Sequence, residues 1–149
     1  MKILAIAKGL LVVLSASQLA AANPEIKLKP TAADEELLDG IATSLFQNIK
    51  NGKTEIAVNQ FFASSSLMKS RTAQLQLLVS QLDGAQQIYG RLGECQEIER
   101  TTVGSIVQYR GYVCQHDNFI SRWNLAFFKT TTGWIGANLA FKDQPAVPE

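Results

Sequence analysis

Residues 119–141 read FISRWNLAFFKTTTGWIGANLAF, and the period inside that stretch decides the fold. Phe119, Trp123, Leu125 and Phe127 fall at odd positions, with Arg122 and Asn124 between them. That alternation is the mark of a half-buried strand. Thr131-Thr132-Gly133 supplies a three-residue turn, with Gly133 suited to the left-handed position, and pairs Thr130 with Trp134. The register then sets Phe127 opposite Ala137, Leu125 opposite Leu139 and Trp123 opposite Phe141. One face becomes apolar, with Trp123, Leu125, Phe127, Ile135, Leu139 and Phe141. The other carries Arg122, Asn124, Phe128, Trp134 and Asn138. A slip of one residue exchanges the two faces, so burial should hold the register.

A second hairpin lies just upstream. Gly104-Ser105 fits a two-residue type II′ turn, which pairs Val103 with Ile106 and sets Glu99 opposite Arg110. The same count sets Cys95 opposite Cys114. Its parity makes them a hydrogen-bonded pair with Cα atoms about 5.5 Å apart, close enough for a disulfide. Ile98, Arg100, Thr102, Val107, Tyr109 and Val113 take the inner face of this hairpin. Glu97, Glu99, Gln108 and Arg110 take the outer one. His116-Asp117-Asn118 is a polar turn joining the hairpins, so the strands form a four-stranded antiparallel meander.

Residues 1–22 have the layout of a secretory signal: Lys2 and Lys8, a short apolar centre at 9–14, and Ala20-Ala21-Ala22 for cleavage. The apolar run is too short for a stable membrane span. The mature chain then begins at Asn23 and is exported, periplasmic or secreted. Removing Lys2 and Lys8 from 14 basic residues leaves 12 against 13 acidic ones, a formal charge of −1. Such a balance offers nothing to attract nucleic acid. An oxidising compartment suits a structural Cys95–Cys114 disulfide. There is no C-x-x-C, and His116 is the only histidine, so neither a metal nor another cofactor is implied.

Residues 23–30 form a tether between Pro24 and Pro30, residues 31–141 a single domain, and residues 142–149 a flexible tail. Thr31 and Asp34 have the spacing of a capping box. Leu37, Leu38, Ile41, Leu45, Phe46 and Ile49 follow at helical spacing until Asn51-Gly52. Thr54 can cap a second helix through Phe62, and the Ser64-Ser65-Ser66 run a third. That third helix carries Leu75, Leu78, Val79 and Leu82, and Asp83-Gly84 should end it. The fold class is therefore α+β: three N-terminal helices packed on one face of a curved four-stranded antiparallel meander.

The run Arg122-Trp123-Asn124-Leu125-Ala126-Phe127-Phe128-Lys129, the turn through Gly133 and the pair Trp134-Ile135 lead to Asn138-Leu139-Ala140-Phe141. Together with the helices before it, this ending resembles small exported bacterial members of the nuclear transport factor 2-like superfamily, over residues 34–141. The resemblance implies a cone in which helices and a curved sheet enclose an apolar pocket. It is used for isomerase or dehydratase chemistry in some members and for ligand binding in others. Many members have a strand between the helices, and none is apparent here, which implies a smaller sheet and a shallower pocket.

Fold alone does not select among these roles. No Asp, Glu or His falls on the strand face assigned to the core, which argues against an acid–base centre. The leading expectation is an exported non-catalytic module binding a small apolar or anionic ligand or a protein partner. Arg100 and Tyr109 would fix the polar end of a ligand lying against Trp123. The alternatives are an isomerase or dehydratase, and a self-associating, homo-oligomeric envelope component. Phe128 and Trp134, diagonal on the outer face, are the expected contact surface.

Overall fold

The structure is a computed structural model and describes residues 28–143. The expected signal and cleavage point, residues 23–27 of the tether and residues 144–149 of the tail lie outside the described residues. Four helices come first: α1 Ala32–Lys50, α2 Thr54–Phe61, α3 Ser66–Lys69 and α4 Thr72–Tyr89. Four strands follow: β1 Leu92–Val103, β2 Val107–His116, β3 Ile120–Thr130 and β4 Gly133–Lys142. The sheet runs β1-β2-β3-β4, antiparallel throughout, and is open at both edges. The α+β meander is thus as the alternation implies.

The Thr31 hydroxyl accepts from the Asp34 N–H and the Asp34 carboxylate accepts from the Thr31 N–H, so the capping box is formed. Leu38, Ala42, Leu45, Phe46 and Ile49 form the buried stripe of α1. The third expected helix is two. Ser65 caps the single turn α3, and a new helix starts after Ser70-Arg71. Asp83-Gly84 does not end α4, which continues to Tyr89 and stops at Gly90, where φ is +87°. Gly in a helix interior costs only about 1 kcal/mol. Burial of Leu82 and a bond from Gln86 Nε2 to Thr54 Oγ1 (3.3 Å) support the extra turns. Thr54 itself is the first residue of α2, not its cap.

Both hairpin turns differ from expectation by one residue, and in both a bulge restores the count. Val103 pairs with Val107 around a three-residue tip, Arg100 pairs with Arg110, and Ile98 is then bulged. Beyond the bulge Cys95 faces Cys114, and the disulfide is present. Their Cα atoms are 4.0 Å apart, the spacing of a non-hydrogen-bonded pair rather than the expected hydrogen-bonded one. In the last hairpin Thr130 pairs with Gly133, Phe127 with Gly136, and Ala137 is bulged. Leu125–Leu139 and Trp123–Phe141 then pair as expected.

The bulges reassign faces. Trp134 is 5% exposed and lies in the core, not on the outer surface. Its indole N–H donates to Asp34 Oδ1 (2.8 Å) at the start of α1. On β2 the buried side chains are Gln108, Arg110, Tyr112 and Cys114, whereas Tyr109 is 47% exposed. The face with more apolar side chains is therefore the outer one, because α1 supplies carboxylates that a buried Arg110 can use.

Helices and inner sheet face share one core. Phe46 meets Tyr112 and Trp123 edge-on, with ring centroids 4.9 and 5.5 Å away. Phe61 lies 5.5 Å from Phe127. These rings occupy the middle of the space where the resemblance implies a pocket.

Candidate functional site

The bulge at Ile98 puts Glu97 and Arg100 on the same face, three residues apart, where a regular strand would put them on opposite faces. Successive turns of α1 bring Glu35 and Asp39 over the same spot. Arg110 completes the group, its side chain wholly removed from solvent. Arg110 donates to Asp39 Oδ1 (2.5 Å), Glu35 Oε2 (3.0 Å) and Gln108 Oε1 (2.5 Å). Arg100 donates through Nε and Nη2 to the two oxygens of Glu97 (2.6 and 2.8 Å). Its Nη1 reaches Glu35 (2.6 Å) and its Nη2 also Asp39 (3.2 Å). The Tyr112 hydroxyl donates to Glu97 Oε2 (3.1 Å). Two guanidinium groups thus face three carboxylates, a net −1. Hydrogen bonds from Arg100 hold the Glu97 carboxyl below its ordinary range despite partial burial. Burial raises the Tyr112 phenol above its own.

A groove of about 470 Å³ opens from this cluster, between the C-terminal half of α1 and the start of β1. Phe46 and Tyr112 form its floor, and Cys95 of the disulfide lies in its wall. Asp39, Glu94, Glu97 and Lys50 supply its charges, with Lys50 3.7 Å from Glu94. Both bonds to Asp39 use Oδ1, which leaves Oδ2 without a hydrogen-bond partner among the described residues. Glu94 is 79% exposed at the rim.

A second polar relay crosses the far end of the sheet. His116 closes β2, one ring nitrogen 3.1 Å from the Gly90 carbonyl and the other 2.8 Å from Ser121 Oγ. A carbonyl only accepts, so Nδ1 carries a proton, and in the neutral ring the Ser121 hydroxyl donates to Nε2. Ser121 Oγ in turn accepts from the Trp123 indole N–H (2.8 Å). The pair has the bonding of a serine–histidine dyad, but Ser121 is buried against Trp123, so it acts as a strut.

The structure does not assemble Arg100, Tyr109 and Trp123 into one ligand site. Arg100 is on the inner face as expected, but its donors are spent on carboxylates. Tyr109 points to the outer face, where its ring lies 6.5 Å from Phe128. Trp123 is core, stacked on Phe141 at 5.3 Å. Phe128 is exposed on the outer face as expected, without Trp134. Sequence reasoning gave no role to Glu35 and Asp39, and it placed Glu97, Gln108 and Arg110 on the outer face, whereas Gln108 and Arg110 are buried beneath α1 and Glu97 shares their face. The available signal was the i, i+4 acidic pair on α1; the pairing of Arg100 with Arg110 appears only in the observed register. Among the described residues no helix is long and apolar enough to cross a membrane, and no group of acidic, histidine or cysteine side chains has the arrangement of a metal site. No family model, curated protein or solved structure matches the chain.

Proposed function

We infer that this chain is an exported, non-catalytic binding module that engages its partner along the groove between α1 and β1. One observation carries the reading: the polar groups of the interior are bonded to one another, while the groove keeps Asp39 Oδ2 without a hydrogen bond and Glu94 exposed, held only by the long contact to Lys50, above an aromatic floor. The disulfide supports the export half of the reading. Isomerase or dehydratase chemistry would use a carboxylate able to take a proton. Glu97 is a poor base, because Arg100 and Tyr112 already bond its oxygens. An anionic headgroup is disfavoured for the same reason, and the residual charge of the groove favours a cationic one. A photo-crosslinking residue at Gln47, on the groove wall, should give one adduct in the producing cells, mapped by mass spectrometry to a single partner segment. The same residue at Gln81 on α4 should not. No adduct at Gln47, or the same adducts from both positions, would overturn the reading.

A second reading, self-association through the outer sheet face, has its own observation. Tyr109 and Phe128 protrude beside a trough of about 390 Å³ lined by Gly111, Asn124, Ala126 and Asn138. A two-fold axis between knob and trough would set each into its counterpart on a second copy. Sedimentation should then show a dimer that Tyr109→Ser with Phe128→Ser dissociates. A monomeric wild type removes this reading.

A further inference from the structure

The wall of the groove opposite α1 is an edge strand, and its outward peptide groups have not been used. Strand β1 pairs only with β2. The 4.0 Å Cα separation makes Cys95–Cys114 a non-hydrogen-bonded pair. The N–H and C=O of Cys95 therefore point away from β2, and by alternation so do those of Glu97, which pairs with Tyr112 two places on. Among the described residues, backbone hydrogen bonds outside the regular elements involve none of residues 93–97. Irregularities between Leu92 and Cys95 and between Glu97 and Glu99 bound this regular edge on both sides. The template is short, and the disulfide fixes it rigidly to its neighbour.

We propose that the groove takes a short extended segment of another protein, added to β1 as a fifth strand and carrying lysine or arginine toward Asp39 and Glu94. The proposal rests on the groove reading above and names its partner class. Cys95 and Glu97 offer two donors and two acceptors, so main-chain bonding alone can register three residues of the guest. Charge selects the sequence. With the cluster it opens from, the groove sets Glu35, Asp39, Glu94 and Glu97 against Arg100, Arg110 and Lys50, a net −1. The oxygens of these acids without a hydrogen bond among the described residues are Asp39 Oδ2 and those of the exposed Glu94. Alternate side chains of the guest point to one face, so one can lie on the Phe46–Tyr112 floor while its neighbours reach the rim. Bulges and charges usually protect an edge from a second copy. Here Glu94 and Glu97 from two copies would crowd like charge along a self-paired edge, while the same acids attract a basic guest.

The test uses the isotope-labelled mature protein and three acetylated, amidated heptapeptides. The first alternates lysine and valine, the second replaces lysine by glutamate, and the third is the lysine peptide N-methylated at alternate amides. The lysine peptide should slow hydrogen exchange at the Cys95 and Glu97 amides at least tenfold, and Glu94→Lys should weaken it several-fold. Glu94 is an exposed rim residue, so that variant keeps the fold. Equal binding of the glutamate peptide overturns the charge assignment. Equal binding of the methylated peptide, with shifts at Phe46 and Tyr112 but no protected edge amides, overturns strand addition and leaves the groove reading standing. Silence of all groove residues at millimolar lysine peptide overturns strand addition and counts against the groove itself. Protected edge amides in a peptide-free dimer would assign the edge to a second copy and overturn the proposal.

Discussion

Arg110 has no side-chain surface in water, yet Glu35, Asp39 and Glu97 stand around it. A buried ion pair is weak evidence of net stabilisation, because desolvation offsets the attraction, but removing one partner is expensive. Arg110→Ala should therefore lower unfolding free energy by about 3–5 kcal/mol, seen as a lower urea midpoint with unchanged slope. Arg110→Met fills the same space without a charge and should cost clearly less, since Arg100 still serves the carboxylates. Arg110→Lys should behave more like alanine than like arginine, because an ammonium cannot span Asp39, Glu35 and Gln108 at once. Equal losses for the alanine and methionine variants would show that charge pairing, and not packing, sets the value of this residue.

At the scale of elements, two glycines should respond in opposite directions to alanine. A Cβ on Gly136 would strike the carbonyl and ring of Phe61, so β4 and α2 touch there only because the side chain is missing. Gly136→Ala should destabilise by about 1–3 kcal/mol through overpacking. Gly40, inside α1, has open space around it, and Gly40→Ala should stabilise by about 0.5–1 kcal/mol. Thermal melts of the two variants check the signs. The elements also show what was legible. Alternation in 119–141 located both last strands, and the cysteine pairing followed from counting. The turn types were each misjudged by one residue, and no period in the sequence announces Ile98 or Ala137 as an extra residue. The face of β2 was misjudged because its apolar count favours Val107, Tyr109 and Val113. The acids that make Arg110 acceptable inside lie over 70 positions away. The end of α4 was missed because Asp83-Gly84 looks terminal until Leu82 and Gln86 find their tertiary contacts.

At the scale of the molecule, the N-terminal half of α1 is fastened to the sheet by its own acids. Asp34 binds Lys129 and Trp134, Glu35 binds both arginines and Gln108, and Asp39 binds both arginines. The Thr31 N–H, then Lys129 and Trp134, hold Asp34 well below the usual carboxylate range, and Arg100 holds Glu97 below it. Carboxyls depressed in the folded state contribute stability that is present above their unfolded values, about 4, and lost as pH falls through the folded ones. Acidification below about pH 4 should thus cost stability, and hydrogen exchange should register it in residues 34–39 before the strands. Asp34→Asn should flatten that acid limb. If α1 and the sheet lose protection together at every pH, the helix is not held by these pairs.

The bulges at Ile98 and Ala137 also decide where the chain can change length. An inserted residue at either hairpin tip, 104–106 or 131–132, only lengthens a loop already in water. Deleting Ile98 would only remove the bulge: Glu97 and Arg100 would be two places apart, still on one face, with Glu97–Tyr112 and Glu99–Gly111 as neighbours in a regular ladder. Deleting Ala137 would likewise leave Trp134 opposite Lys129 and facing the core. Tags and grafted loops therefore belong at the tips, the loss of one residue fits the tips or the two bulges, and a single-residue gap anywhere else in mid-strand is equivalent to replacing half a face of the core.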